Sequence, residues 1–95
     1  MASIGVLTLE LKLENSHSLK DKRQVVRSLK DRLRRKFNVA VAEIDGQETW
    51  QRSVVAAVTV SADRAYAEQL LDAVEREAAH LAGPELVGAS VEWLS

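Results

Sequence analysis

Residues 7–37 read LTLELKLENSHSLKDKRQVVRSLKDRLRRKF, and the change of period inside that stretch decides the fold. Leu7, Leu9, Leu11 and Leu13 alternate with Thr8, Glu10, Lys12 and Glu14, the period of two of a strand with one apolar and one polar face. Asn15-Ser16-His17-Ser18 interrupts the alternation, and Ser18 has the side chain to cap a following helix. From Leu19 onward the apolar residues recur as Val25, Val26, Leu29 and Leu33, the stripe of an amphipathic helix. Asn38 marks its expected end, since Asn tolerates the left-handed conformation found at helix C-termini.

The remaining chain continues in the same grammar. Val39 to Ile44 is a short β-prone run, closed by the turn signal Asp45-Gly46. Ser53 to Ser61, SVVAAVTVS, is apolar on both faces, as a central strand is. Asp63 can cap a second helix with Ala67, Leu70, Leu71, Val74, Ala78 and Leu81 on its apolar side, and Gly83-Pro84 stops it. Val87 to Leu94 is a last strand with Ala89, Val91 and Trp93 on one side, Trp93 in the core. The order strand, helix, strand, strand, helix, strand predicts one α+β domain over residues 1–95, a ferredoxin-like βαββαβ sandwich. Its four-stranded antiparallel sheet carries both helices on one face and leaves the other open.

Composition narrows the function classes. With 46% hydrophobic and 28% charged residues, the chain has the make-up of a globular domain. It has no cysteine, which excludes a disulfide framework, a thiolate metal site and a thiol nucleophile. No stretch approaches the roughly twenty apolar residues of a membrane span, and the opening MASIGVLTLELKLE lacks the basic start and continuous apolar run of a signal peptide. A cytoplasmic protein without a membrane partner is expected.

Charge is the informative feature. Nine of the thirteen Lys and Arg residues fall between Lys20 and Lys36, beside only Asp21 and Asp31, for a local net charge of +7. The rest of the chain has four basic and twelve acidic side chains, a net of −8. Such asymmetry points to an anionic partner, to self-association or to internal neutralisation. At 100° per residue, Arg23, Arg27, Lys30 and Arg34 form one stripe on the first helix, with Lys20 close beside it. Like charges at this spacing repel by roughly 0.2–0.5 kcal/mol per pair, which phosphate oxygens would relieve. Lys20, Lys22 and Arg23 stand at the helix N-terminus, where the dipole also favours phosphate. Glu68, Asp72 and Glu75 form an acidic stripe on the second helix that either meets the basic one or faces away from it.

Other candidates are weaker. The outward positions of the open sheet are read as Thr8, Glu10 and Lys12 on the first strand and Val55, Ala57 and Thr59 on the third. They offer no aromatic for base stacking, against an RRM-type mode. Val55 and Ala57, with Ala40 or Ala42 beside them, instead suit contact with a second copy of the chain. Trp50, in the turn before the third strand with Gln51 and Arg52, can stack on a base, anchor an interface or cap the end of the core. Phe37 and Tyr66 read as packing residues. His17 reads as part of a helix cap, His80 as a favourable charge at a helix C-terminus. Glu43, Asp45 and Glu48 read as solvated acids of a hairpin, and no phosphate-binding glycine loop is present. No catalytic residue, metal or cofactor is expected.

His17-Ser18-Leu19-Lys20, Lys22-Arg23, Phe37-Asn38-Val39-Ala40-Val41-Ala42-Glu43 and Trp50-Gln51-Arg52 resemble the YlxP family of small bacterial proteins, a domain of unknown function. The resemblance implies a ferredoxin-like fold and no enzymatic activity. Because such proteins are often encoded beside transcription-elongation, translation-initiation and ribosome-maturation factors, it also implies work near RNA or the ribosome. The leading expectation is a non-catalytic accessory protein that binds structured RNA, rRNA or a ribosomal subunit, through Lys20, Lys22, Arg23, Arg27, Lys30 and Arg34, with Trp50 and Arg52 as further contacts. The alternative is a homodimeric protein–protein module with no nucleic-acid role, its basic stripe meeting an acidic patch.

Overall fold

Leu7, Leu9 and Leu11 are buried on one face of the first strand, and Leu13 continues the row just beyond it. The computed structural model describes residues 1–95, ordered as β1 (Ser3–Lys12), α1 (Leu19–Lys36), β2 (Ala40–Asp45), β3 (Arg52–Ser61), α2 (Arg64–Ala82), a 3₁₀ turn (Gly83–Glu85) and β4 (Leu86–Trp93). The sheet runs β2-β3-β1-β4 with every neighbouring pair antiparallel. This is the ferredoxin-like topology, with both helices on one face. Val26, Leu29 and Leu33 of α1 and Leu71, Val74 and Ala78 of α2 close the core over the leucines of β1.

The helix starts follow the capping residues. Asp21 N–H donates to Ser18 Oγ at 3.1 Å, and Tyr66 N–H donates to Asp63 Oδ1 at 3.2 Å. Gly83, at φ 59°, ends α2. Asn38 does not end α1 by a left-handed turn, because no residue other than glycine has positive φ. The extended cap residue Phe37 instead leads straight toward β2 while its ring packs on the core. Tyr66, expected to pack, is exposed.

Register corrects the expected open face. Leu9 pairs with Val55 and Leu7 with Ala57, and cross-strand partners share a face. Val55 and Ala57 are therefore fully buried beneath the helices, not available to a second copy. The open face instead carries Val54, Ala56, Val58 and Val60 of β3, with Val6 and Thr8 of β1 and Ala40 and Ala42 of β2.

β4 is an edge strand that the helices only partly cover. Ala89 and Val91 are exposed, while Trp93 is half-buried against the core. Its ring occupies the space a side chain at Gly5 would need, since a Cβ there would lie 2.6 Å from Trp93 Cζ3 and 2.7 Å from Leu71 Cδ1. The Arg64 guanidinium covers the indole at 3.8 Å from its centroid.

Candidate nucleic-acid interface

The basic residues of α1 divide into three groups by their partners. Val26, Leu29 and Leu33 turn toward the sheet, and Lys22, four residues before Val26, falls on the same face. Lys22 is fully buried. Its Nζ lies 2.6 Å from Glu43 Oε2 of β2 and also donates to the Gly46 carbonyl. Ser53 Oγ donates to the same Glu43 oxygen at 2.6 Å. Burial pushes the Glu43 carboxyl up, but hydrogen bonds from Lys22 and Ser53 and the charges of Lys22 and Lys30 outweigh it and hold it below its ordinary value. Lys22 is thus a structural cation and leaves the expected RNA-contacting set.

A second group faces α2. Arg32 Nε lies 3.4 Å and Lys36 Nζ 2.7 Å from the Glu77 carboxylate. The Lys36 hydrogen bond leads in holding the Glu77 carboxyl down against desolvation, and the charges of Lys36, Arg32 and His80 add to it. Glu77 belonged to neither predicted stripe.

Lys20, Arg23, Arg27 and Lys30 form the third group, with no carboxylate in ion-pair range; Arg34 reaches only Asp31 on its own helix at 3.8 Å, and Arg35, which lies off this row on the groove side, has no carboxylate partner either. This row lies on the flank of α1 opposite Arg32 and Lys36, which meet α2, and so on the β2 side. The acidic stripe lies on the far side of α2. Glu68 pairs there with Arg64 at 3.0 Å, and Arg64 in turn covers Trp93 of β4. The two stripes occupy opposite flanks of the helical layer and do not neutralise each other within the chain.

The loop between β2 and β3 stands at the N-terminal end of this basic row, where Lys22 holds Gly46. Trp50 is 46% exposed there. Arg52 is paired with Asp45 at 3.3 Å. The Gly46 N–H and then Arg52 lower the Asp45 carboxyl. Glu43 points inward and Asp45 toward Arg52, so the hairpin acids do not converge on a common point.

Between α1 and the end of α2 lies a groove of about 600 Å³ with Leu29, Val25, Leu81 and Ala82 along it and Arg32 and Arg35 on its rim. Val25, expected in the core stripe, is 41% exposed on that groove.

Comparison with known proteins agrees with the fold and the resemblance. No helix is long and apolar enough to cross a membrane. The designed protein Foldit4 superposes with a TM-score of 0.61 at 14% identity, over 100% of this chain and 98% of that one. A putative antibiotic biosynthesis monooxygenase from Bordetella bronchiseptica superposes with a TM-score of 0.56 at 15% identity, over 100% and 97%. Both likenesses are of fold alone. In sequence, the chain is 38% identical over 71 residues to "Uncharacterized protein YlxP" of Bacillus subtilis (strain 168), covering 75% of this chain and 77% of that protein. The family profile described as "Protein of unknown function (DUF503)" matches residues 4–91. Lys22, Glu43 and Trp50-Gln51-Arg52, apart in sequence but joined at one end of the fold, thus sit in a chain that belongs to the DUF503 family.

Proposed function

We propose that this protein is a non-catalytic accessory factor of the translation or ribosome-maturation machinery, acting in the cytoplasm and gripping structured RNA with the β2-side flank of α1. Lys20, Arg23, Arg27, Lys30 and Arg34 make the contacts. The carrying observation is the contrast between these cations and Arg32, Lys36 and Lys22, each of which has a carboxylate from another element. Lys20 and Arg23 also stand near the positive end of the helix dipole, where a cation is unfavourable by about 0.3–1 kcal/mol. An arrangement kept at that cost suits an anion brought by a partner. Contacts of this kind fix the position of a phosphate backbone without reading sequence. The translation setting rests on the family resemblance. Crosslinking in cells followed by sequencing of bound RNA tests the reading, with enrichment of one rRNA region expected and background recovery counting against it.

A second reading is a homodimer through the open sheet face. It is favoured by Val58 and Val60 with Ala40, Ala42 and Val6 on the sheet face opposite the helices, where Val54 and Ala56 are already buried among their neighbours. Both signs of charge flank these residues, Glu10 and Glu92 against Lys12 and Arg52, so a second copy is the complementary occupant.

A further inference from the structure

The loop carrying Trp50 is held from several directions. The Gly46 carbonyl accepts from Lys22 Nζ of α1 and from the Thr49 N–H at 3.1 Å. The Thr49 hydroxyl bridges toward the Gly46 and Arg52 carbonyls at 3.0 and 3.1 Å. On the other side of Trp50 in sequence, the Gln51 carbonyl accepts from Leu13 N–H at 2.9 Å. Residues 49, 51 and 52 are thus tied to the framework while the Trp50 side chain is left half exposed. The tie runs through Lys22, adjacent in sequence to Arg23, so the backbone of the loop that carries Trp50 is anchored at the end of α1 where the unpaired cation row starts. The other tryptophan is half-buried beneath Arg64, and the open sheet face carries no aromatic.

We infer that Trp50 is a stacking platform for one unpaired base of the RNA whose phosphates lie along α1, so that the preferred ligand is a stem interrupted by a bulged or flipped-out nucleotide. This rests on the RNA reading above and adds the class of RNA. A row of cations along a helix grips backbone phosphates whether or not the bases are paired. An indole face, by contrast, is reached only by a base released from its stack. Pre-fixing the Trp50 loop through Lys22 lowers the ordering cost of that contact.

The test compares two RNA stem–loops, one with a single unpaired adenosine in the stem and one fully paired, against the natural chain, Trp50→Ala, Trp50→Phe and the variant with Arg23, Arg27, Lys30 and Arg34 all replaced by Gln. Stacking of one base on an aromatic contributes on the order of 10-fold to 100-fold in affinity. The natural chain should prefer the bulged stem by about that factor, with quenching of tryptophan emission that Trp50→Phe lacks. Trp50→Ala should lose the preference while keeping its affinity for the paired stem and its salt dependence, and Trp50→Phe should keep part of it. If the natural chain binds both stems equally, or Trp50→Ala keeps the preference, the stacking inference is overturned and the phosphate reading stands. If the natural chain binds neither stem, or the four-Gln variant binds both as tightly as the natural chain, the RNA reading fails and takes this inference with it.

Discussion

Lys22 of α1 and Glu43 of β2 form an ion pair 2.6 Å long beneath the helix, with the lysine side chain 1% and the glutamate side chain 16% exposed. The pair joins α1 to the second strand, and through Gly46 to the loop that carries Trp50. A buried ion pair gains little over apolar residues of the same size, but removing one partner strands the other.

Lys22→Met should therefore cost about 3 kcal/mol of stability, and the double variant Lys22→Met/Glu43→Leu should recover most of that loss. Urea denaturation of the two proteins measures it. Equal loss in both would show that packing volume, and not the stranded carboxylate, sets the cost.

The depressed Glu43 carboxyl makes the fold acid-sensitive. A carboxyl lowered in the folded state contributes stability above its unfolded value, and that contribution is lost as pH falls through the folded one. Stability should drop as pH falls below about 4.3, the ordinary glutamate value. In Glu43→Gln the drop over the same range should be shallower. Thermal unfolding between neutral and acid pH checks both, and identical profiles would show that other carboxylates carry the effect.

Gly5 and Trp93 are coupled through space. Gly5→Ala places a methyl against the indole and Leu71 and should cost about 1–3 kcal/mol. Because Trp93 is only half-buried, Trp93→Ala should cost about 2–4 kcal/mol, toward the lower end for a tryptophan truncation. Trp50→Ala should cost less than either. In the Gly5→Ala/Trp93→Leu double variant the penalties should fall short of additive, and a double-mutant cycle measures the coupling.

Much of this was legible in the residues, and the misses have physical causes. The period change between Leu13 and Leu19, with Ser18 and Asp63 as caps, led to the element order. β3 misled because SVVAAVTVS is apolar on both faces, so its parity is set only by pairing with β1, and a slip of one residue exchanges every side chain. Lys22 was detectable in principle. It precedes Val26, Leu29 and Leu33 by the spacing of the buried stripe, while Glu43 follows Val39 and Val41 on the inward side of β2. A charge in each of two apolar rows signals a buried pair. Glu77 lay outside both predicted stripes, and its role depends on how α1 and α2 pack, which no local pattern carries.

If the open sheet face joins two copies, the chain should sediment as a dimer at micromolar concentration, and Val58→Lys should make it monomeric. A sheet-face dimer buries apolar surface and should persist in high salt, whereas association of the basic flank with the acidic flank of a neighbour should dissolve. A monomer at high concentration removes the second reading.

The most direct measurement of the central claim is the salt dependence of RNA binding by the natural chain and by the variant with Arg23, Arg27, Lys30 and Arg34 replaced by Gln. With about four phosphates neutralised, log K against log salt should fall with a slope of roughly −3 to −4 in the natural chain and approach zero in the variant. The variant's thermal stability should be nearly unchanged, because none of the four side chains lies in the core. A variant that keeps both the affinity and the slope would contradict the account.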